Sequence, residues 1–456
     1  MSAEVDLLVV GAGPAGMAAA VQARAQDLSV LLLDENAAPG GQVHRGVGET
    51  YRPDGRAPGG AQAAEGAALI AALRASGAEC RHGATLWALE RDTTAFWSEG
   101  GAARRIRAGR VLLCPGATER PLPIPGWTLP GVMTVGAAQI LLKTAGLVPQ
   151  DRVWIAGQGP LLWLYAAQVA AKGGALAGIL DIADPSLRWR AARHLGSALV
   201  APWYLAQGLG WMRAVRRAGI PVIRTRDVAA EGASRLEAVV FDGRREAADA
   251  LLLHDGVVPN TQVTRAIQGC RHEWDAGQQC WRPVLDAWGN TTVDGVMVAG
   301  DSAGIGGARA AALSGRIAAL EAACALGRLT VEGRDAIAGR LILARRQEMA
   351  PRALLDALYP PRAAAGIAEG TILCRCEEVT AGAVRPAVAH GATGANQLKA
   401  YLRAGMGPCQ GRVCGPAVHA VIADARGVPP ERVEALRTRF PTKPVTVGEL
   451  AALDAP

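Results

Sequence analysis

Residues 5–10, VDLLVV, form a nearly unbroken apolar run, the pattern of a strand buried on both faces. The run stops at Gly11, and the Ala-rich stretch from about 14 to 26 predicts a helix. LSVLLLDE at 28–35 repeats the apolar pattern as a second strand and ends in Asp34 and Glu35. Strand, glycine turn, helix and strand make a βαβ unit. A second unit begins at RVWIAGQGPLLWLYAAQVAA (152–171) and continues into ALAGILDIAD (175–184). Three later segments read as strands belonging to the first unit. RVLLCPGATERPLPIPGW (110–127) is a strand followed by a Pro/Gly-rich crossover. DALLLHDGVVPNTQV (249–263) is another strand, and TTVDGVMVAGDSAGIGGARAAALSGRIAAL (291–320) is a strand, Gly300-Asp301 and a glycine-rich entry to a long helix.

The pattern predicts an α/β protein with two nucleotide-binding, Rossmann-like domains and a small C-terminal cysteine module. The first domain is discontinuous, 1–125 with 249–330, and 126–248 forms the second. A helical linker spans 331–370, with YPPRAAAG (359–366) at its boundary, and the cysteine module spans 371–430. The tail, 431–456, is broken by prolines, cannot be one helix, and is expected to pack against a partner.

At 456 residues, half of them hydrophobic, the chain has length for about three domains and a large core. Aromatics make up only 4%, so Ala, Val and Leu must build that core. The net charge of +7 is modest, and the densest basic run, RWRAARH at 188–194, lacks the repeated aromatics of a nucleic-acid surface. No nucleic-acid partner is expected. MSAEVDLL has no basic n-region and reads as the approach to a buried strand, not a signal peptide. Leu195–Met212 carries no charge, but Ser197, Pro202, Gln207, Gly208 and Gly210 make it a buried helical hairpin, not a membrane span. Nine cysteines without export features place the chain in the reducing cytoplasm, where clustered thiols bind metal.

Candidate chemistry sits at two ends of the chain. In Gly11-Ala12-Gly13-Pro14-Ala15-Gly16, Gly11 permits a tight turn, Gly13 admits a pyrophosphate and Gly16 lets the helix pack on the strand. Phosphates would sit at the N-terminus of the helix that follows. Asp34 is the candidate acceptor for the adenosine ribose, with Glu35 as the fallback. Gly41, Gln42 and Arg45 lie where the chain passes the cofactor; Arg45 would pair with phosphate or with a surface carboxylate. Gly300-Asp301 stands at a strand end before a helix, which suits flavin ribityl hydroxyls and suits a helix N-cap. The second unit keeps Gly157, Gly159 and Asp181 but has Leu162 where the third glycine belongs. It is either a working nicotinamide site or a relic.

Near the C-terminus Cys374 and Cys376, then Cys409 and Cys414, form a C-x-C … C-x4-C set. Zinc accepts four thiolates, but usually from C-x2–4-C pairs, so the spacing suits a [2Fe–2S] cluster better. Arg375, Lys399, Arg403 and Arg412 are near in sequence and would offset cluster charge. Cys114 reads as a core thiol, and Cys270 and Cys280 lie ten apart in a polar loop. No C-x-x-C accompanies the nucleotide segments, so disulfide-reductase chemistry has no support. No acid–base pair or nucleophile stands at diagnostic spacing, and no catalytic residue is assigned.

VVGAGPAGMAAA, LLLDENAAPGGQVHR, CPGATERPLPIPGWTLPGVMT, VPNTQVTR, VMVAGDSAGIGGARAA and CRCEEVT…AGMGPCQGRVCG together resemble one family over about residues 5–450. These are the flavoprotein subunits, designated α or A, of multi-subunit amine and amino-acid dehydrogenases. They include the A subunit of opine oxidase, the B subunit of hydrogen cyanide synthase, and the α subunits of dye-linked proline and D-hydroxyproline dehydrogenases. Heterotetrameric sarcosine oxidase is more distant. The resemblance implies glutathione-reductase-type domains and a helical module like bacterioferritin-associated ferredoxin. FAD, or another adenine nucleotide in some members, would by the resemblance be held by Gly11, Gly13, Gly16, Asp34, Gly41, Gln42, Gly300 and Asp301; Pro14, Ala15, Glu35 and Arg45 of the same segments complete the candidate cofactor-binding set. Cys374, Cys376, Cys409 and Cys414 would ligate a [2Fe–2S] cluster. The resemblance also implies a β subunit like D-amino-acid or sarcosine oxidases on which the amine is oxidised. A small ferredoxin-like γ chain is frequent, and several members carry FMN at the α–β interface. Two other readings of the residues stay open: a self-contained NAD(P)H-dependent reductase, and a non-catalytic nucleotide-stabilised scaffold.

Overall fold

Val5–Val10 lies inside a parallel sheet, flanked by Val30–Asp34 on one side and Ala102–Leu113 on the other. Its near-continuous apolar sequence is what two covered faces require. The computed structural model describes residues 4–47, 60–150, 152–362 and 366–453. Glu79–His82 extends this first sheet at one edge. Val296–Val298 joins the same sheet beside Ala102–Leu113. Ala102–Leu113 continues into an antiparallel meander with Thr94–Glu99 and Thr85–Leu89. Helices Pro14–Arg24, Gly60–Ala75 and Ala308–Ala325 pack on one face through Ala15, Ala19, Ala23, Ala311, Ala318 and Ala322. Alanine's small side chain brings these helices close to each other, which explains a core with few aromatics.

The second sheet runs Val222–Arg224, Gly178–Asp181, Val153–Gln158, Ala250–Asp255, Val132–Thr134, all parallel. Ala250–Asp255 was expected in the first domain, and this is a correction. It pairs with Val153–Gln158 over its whole length, and the return to the first domain comes afterwards, where Val257–Pro259 meets Ala117–Glu119. A fully buried strand reads the same whichever sheet receives it.

The stretch 331–370 is not a free linker. Val331–Met349 packs on Ala308–Ala325 through Ile317, Leu320, Ala338 and Leu341. Arg352–Leu358 then docks on the short helices Leu187–Ala192 and Leu195–Ala198. Residues 363–365 of the expected YPPRAAAG boundary lie outside the described residues. Leu195–Met212 is a second correction: it is no buried hairpin. It contributes Leu195–Ala198 and most of Pro202–Arg217, with Leu199, Val200 and Leu209 more than half exposed. The helix Pro202–Arg217 buries one stripe and leaves the other in solvent. Among the described residues no helix is long and apolar enough to cross a membrane.

The cysteine module has its own core, with Leu373, Val384, Leu398, Val421 and Ile422 buried between helices Ala381–Ala389, Ala395–Leu402 and Gly415–Arg426. Contacts with the nucleotide-binding part of the chain fasten it in place. The Trp127 indole N–H donates to the Ile372 carbonyl at 2.6 Å, and His419 stacks on Trp274 with ring centroids 5.0 Å apart. The tail lies against its own chain. Phe440, Val445 and Leu453 pack on Trp87, Phe96 and Ala103, and the Thr442 N–H donates to the Trp87 carbonyl at 2.8 Å.

Candidate flavin and iron–sulfur sites

Helix Pro14–Arg24 starts from Gly13 with no side-chain cap and no acidic residue in its first turn. Its leading N–H groups and the positive end of its dipole are therefore left for an anion. Gly11 has φ +105°, and a Cβ there would stand 2.4 Å from the Cys114 carbonyl oxygen. At Gly16 a Cβ would fall 1.8 Å from the Gly11 oxygen. The 40–41 turn lies over this loop, with the Gly40 N–H donating to Ala12 O at 2.8 Å and Gly41 packed against Gly13.

Asp34 is buried and already engaged. One carboxylate oxygen accepts the Ala12 N–H, and the other accepts the Asn36 backbone and side-chain N–H groups at 2.7 Å each. It ties the glycine turn to the second strand and keeps lone pairs for a ribose hydroxyl. Glu35 is half-exposed and pairs with Lys443 of the tail at 2.6 Å. Arg45 donates to the Asn36 side chain and, at 3.5 Å, to Gly41 O, so it belongs to the loop and not to a surface carboxylate. Gln42 contributes its carbonyl, which accepts from the Lys143 ammonium at 3.2 Å; Val43 O accepts from the same group at 3.0 Å.

Lys143 escaped the sequence reading. It is one cation in the apolar helix Val135–Ala145 of the second domain, and folding carries it to the first domain's cofactor loop. Burial, with Arg45 nearby, pushes its pKa down to about 8. His44, buried against Gly66, has its pKa lowered by the same burial and by Lys143.

Gly300 packs on Ala15, and its N–H donates to Ser314 Oγ at 2.8 Å. Asp301 Oδ1 accepts the Gly306 and Gly307 N–H groups at 2.9 and 3.0 Å. The N-cap of helix Ala308–Ala325 is Gly307, so Asp301 closes the preceding loop and is not the cap. It also lines a cavity of about 800 Å³ shared with Pro160, Trp163, Trp203 and Tyr359. Gly11, Gly13, Pro14, Ala15, Gly16, Asp34, Gly41, Arg45, Gly300 and Asp301 thus converge at the carboxyl ends of the strands. An uncapped helix start, a glycine cradle and a buried acid fit an adenine dinucleotide such as FAD.

In the second unit Gly157 repeats the role of Gly11: a Cβ would stand 2.0 Å from His254 O. Leu162 is buried in the helix–sheet core with Ile155 and Ile179. His254 Nδ1 lies 2.5 Å from Glu119 Oε1, and Glu119 Oε2 accepts the Gly136 N–H at 2.8 Å. No sequence signal marks this pair, whose members are 135 residues apart.

Cys374 and Cys414 are buried, Cys409 is half-buried and Cys376 is exposed. The sulfurs of Cys376 and Cys409 are 4.0 Å apart. Two thiolates each about 2.3 Å from one tetrahedral metal lie about 3.8 Å apart. Cys414 contacts Cys374, and burial together with that neighbour pushes its thiol pKa up. Among the described residues no three such side chains close on a single ion position. Four thiols gathered as two contacting pairs can ligate the two irons of a [2Fe–2S] cluster. Cys414 is also the N-cap residue of Gly415–Arg426, which places that helix's N–H groups beside its sulfur. The four nearby cations are engaged elsewhere. Arg375 lies over Trp127, Arg403 pairs with Glu377, Lys399 donates to Arg437 O and Arg412 to Thr442 O.

Residues 5–325 match the pyridine nucleotide-disulphide oxidoreductase family, and residues 372–424 match the BFD-like [2Fe-2S] binding domain. The chain belongs to the pyridine nucleotide-disulphide oxidoreductase family and, within it, to the relatives of the opine oxidase A subunits. It is 44% identical to the A subunit of opine oxidase from Agrobacterium tumefaciens (strain Ach5), over 98% of this chain and 92% of that protein. It is 31% identical to hydrogen cyanide synthase subunit HcnB of Pseudomonas aeruginosa, over 96% of each. Among solved structures, L-proline dehydrogenase from P. horikoshii shares the fold with a TM-score of 0.71 at 20% identity, covering 98% of this chain and 79% of that one. The protein is an FAD- and [2Fe–2S]-binding oxidoreductase subunit related to amine and amino-acid dehydrogenases.

Proposed function

We propose that this chain is the electron-transferring FAD/[2Fe–2S] subunit of a hetero-oligomeric complex that oxidises an amine or amino acid. The amine would be oxidised on a D-amino-acid- or sarcosine-oxidase-like β subunit in the cytoplasm. Identity to the opine oxidase A subunits favours an opine over D-hydroxyproline, proline or glycine. A ferredoxin-like γ chain and an interfacial FMN belong to the same reading.

One observation supports it: a single hairpin touches both candidate cofactor regions. In His272–Pro283, Gln278 exchanges hydrogen bonds with Ile305 of the Asp301–Gly307 loop, both at 3.0 Å. In the same hairpin Trp274 stacks on His419, five residues beyond Cys414. Bound FAD would accept electrons in pairs, and the cluster would pass them singly. Gly11–Gly16 and Asp34 would hold the nucleotide and the four cysteines the cluster, with the hairpin connecting the two regions.

Purified alone, the protein is expected to contain FAD and about two irons per chain, and to leave opines and D-amino acids unoxidised. Co-expressed with its β partner, it should be reduced by the amine. Cys376→Ser should lose the iron and keep the flavin spectrum. Zinc in place of iron, or amine oxidation by the isolated chain, would overturn the proposal.

A further inference from the structure

We propose that residues Leu358–Arg362 occupy the second nucleotide site as an internal ligand, so that this chain takes no hydride from NAD(P)H. The inference deepens the relay reading, because electrons must then enter from the partner side.

Gln158 is the middle residue of the Gly157-Gln158-Gly159 turn, where a dinucleotide's phosphates would approach. Its buried amide donates instead to the Pro360 carbonyl at 2.6 Å and to Asp255 Oδ1 at 2.8 Å. The second oxygen of Asp255 accepts the Arg362 N–H at 3.0 Å. One buried carboxylate thus clamps the turn and the segment together. Asp181 ends the second strand of the unit, where a ribose-binding acid belongs. Beside it lies Tyr359, whose phenol pKa is raised by burial and then by Asp181.

The segment is also held from outside. Leu354, Ala357 and Leu358 pack against Ala191, Ala198 and Leu205 of the helical insertion that follows Asp181. The middle of the glycine turn is therefore engaged by the chain itself. Leu162, at the place of the helix-packing third glycine, is buried and fills core between its helix and the sheet.

The test uses the full-length, cofactor-loaded protein. Hydrogen exchange is followed on the 355–362 peptide, while NADH and NADPH are titrated at millimolar concentration with nicotinamide fluorescence and flavin bleaching as readouts. In the wild type the peptide should be protected, and neither nucleotide should bind, bleach the flavin or change that protection. Tyr359→Ala and Leu354→Ala should each speed exchange of the Arg362 amide by about tenfold or more. Exchange at free-peptide rates in the wild type, or in-site NADH binding by the wild type, would overturn the proposal, and so would unchanged exchange in both variants. None of these outcomes bears on iron content or on reduction by the amine-loaded partner, so the relay reading stands or falls separately.

Discussion

Gly16 and Leu162 occupy corresponding places in two copies of one turn, and their surroundings differ. At Gly16 a Cβ would collide with Gly11 O at 1.8 Å, so the first helix meets its strand only because the side chain is absent. Gly16→Val should cut FAD content by more than about tenfold and lower the melting temperature by several degrees. Cofactor absorbance and thermal melts would check this; full flavin retention would show that the helix can move aside. The glycines, Asp34 and the cysteines were all recognisable from spacing. What the spacing could not show was that Asp34 already bonds Ala12 and Asn36, or that Lys143 reaches the cofactor loop from another domain. Such contacts depend on which surfaces meet.

Among the elements, the hairpin His272–Pro283 and helix Gly415–Arg426 form the joint between the two cofactor regions. His419 in that helix has its pKa lowered to about 4, chiefly by burial, with Arg265 and Arg120 adding to it. In the unfolded chain its pKa is the ordinary value near 6.5. Between pH 6.5 and 4 the unfolded state therefore binds more protons, and stability falls as pH falls through that window. The loss from His419 at pH 5 is about 2 kcal/mol. His272, also lowered to about 4 by burial, adds a loss of the same sign. His419→Phe keeps a ring on Trp274 and removes the proton uptake. Its urea midpoint should drop less between pH 7 and pH 5 than that of the wild type. An equal drop in both proteins would remove His419 as a source of the acid sensitivity.

At the scale of the whole molecule, the chain folds back on itself twice. The tail crosses to the first sheet, and the segment after Leu358 crosses the second nucleotide turn. Truncation before Phe440 removes Phe440, Val445 and Leu453 from Trp87 and Phe96, with the Thr442 bond and the Lys443–Glu35 pair. It leaves Val433 and Leu436 in the cysteine module's core. The melting temperature should fall by about 3–6 °C with iron content unchanged. Loss of iron would show that the tail also supports the cluster.

Apolar runs, glycine turns and cysteine spacing are local patterns, and they determined the two βαβ units, the dinucleotide fingerprint and the four-thiolate module. They are legible because a strand's two-residue period, a helix's first turn and a metal's bite depend on neighbours close along the chain. Long-range contact decided the rest. Ala250–Asp255 is apolar enough for either sheet, and only strand pairing put it beside Val153–Gln158. Gln158 and Pro360 stand 202 residues apart, and only the docking of Arg352–Leu358 on the helical insertion brings the carbonyl to the amide. Hydrophobic burial has no direction of its own, so the choice among covering surfaces is made by how all of them fit at once.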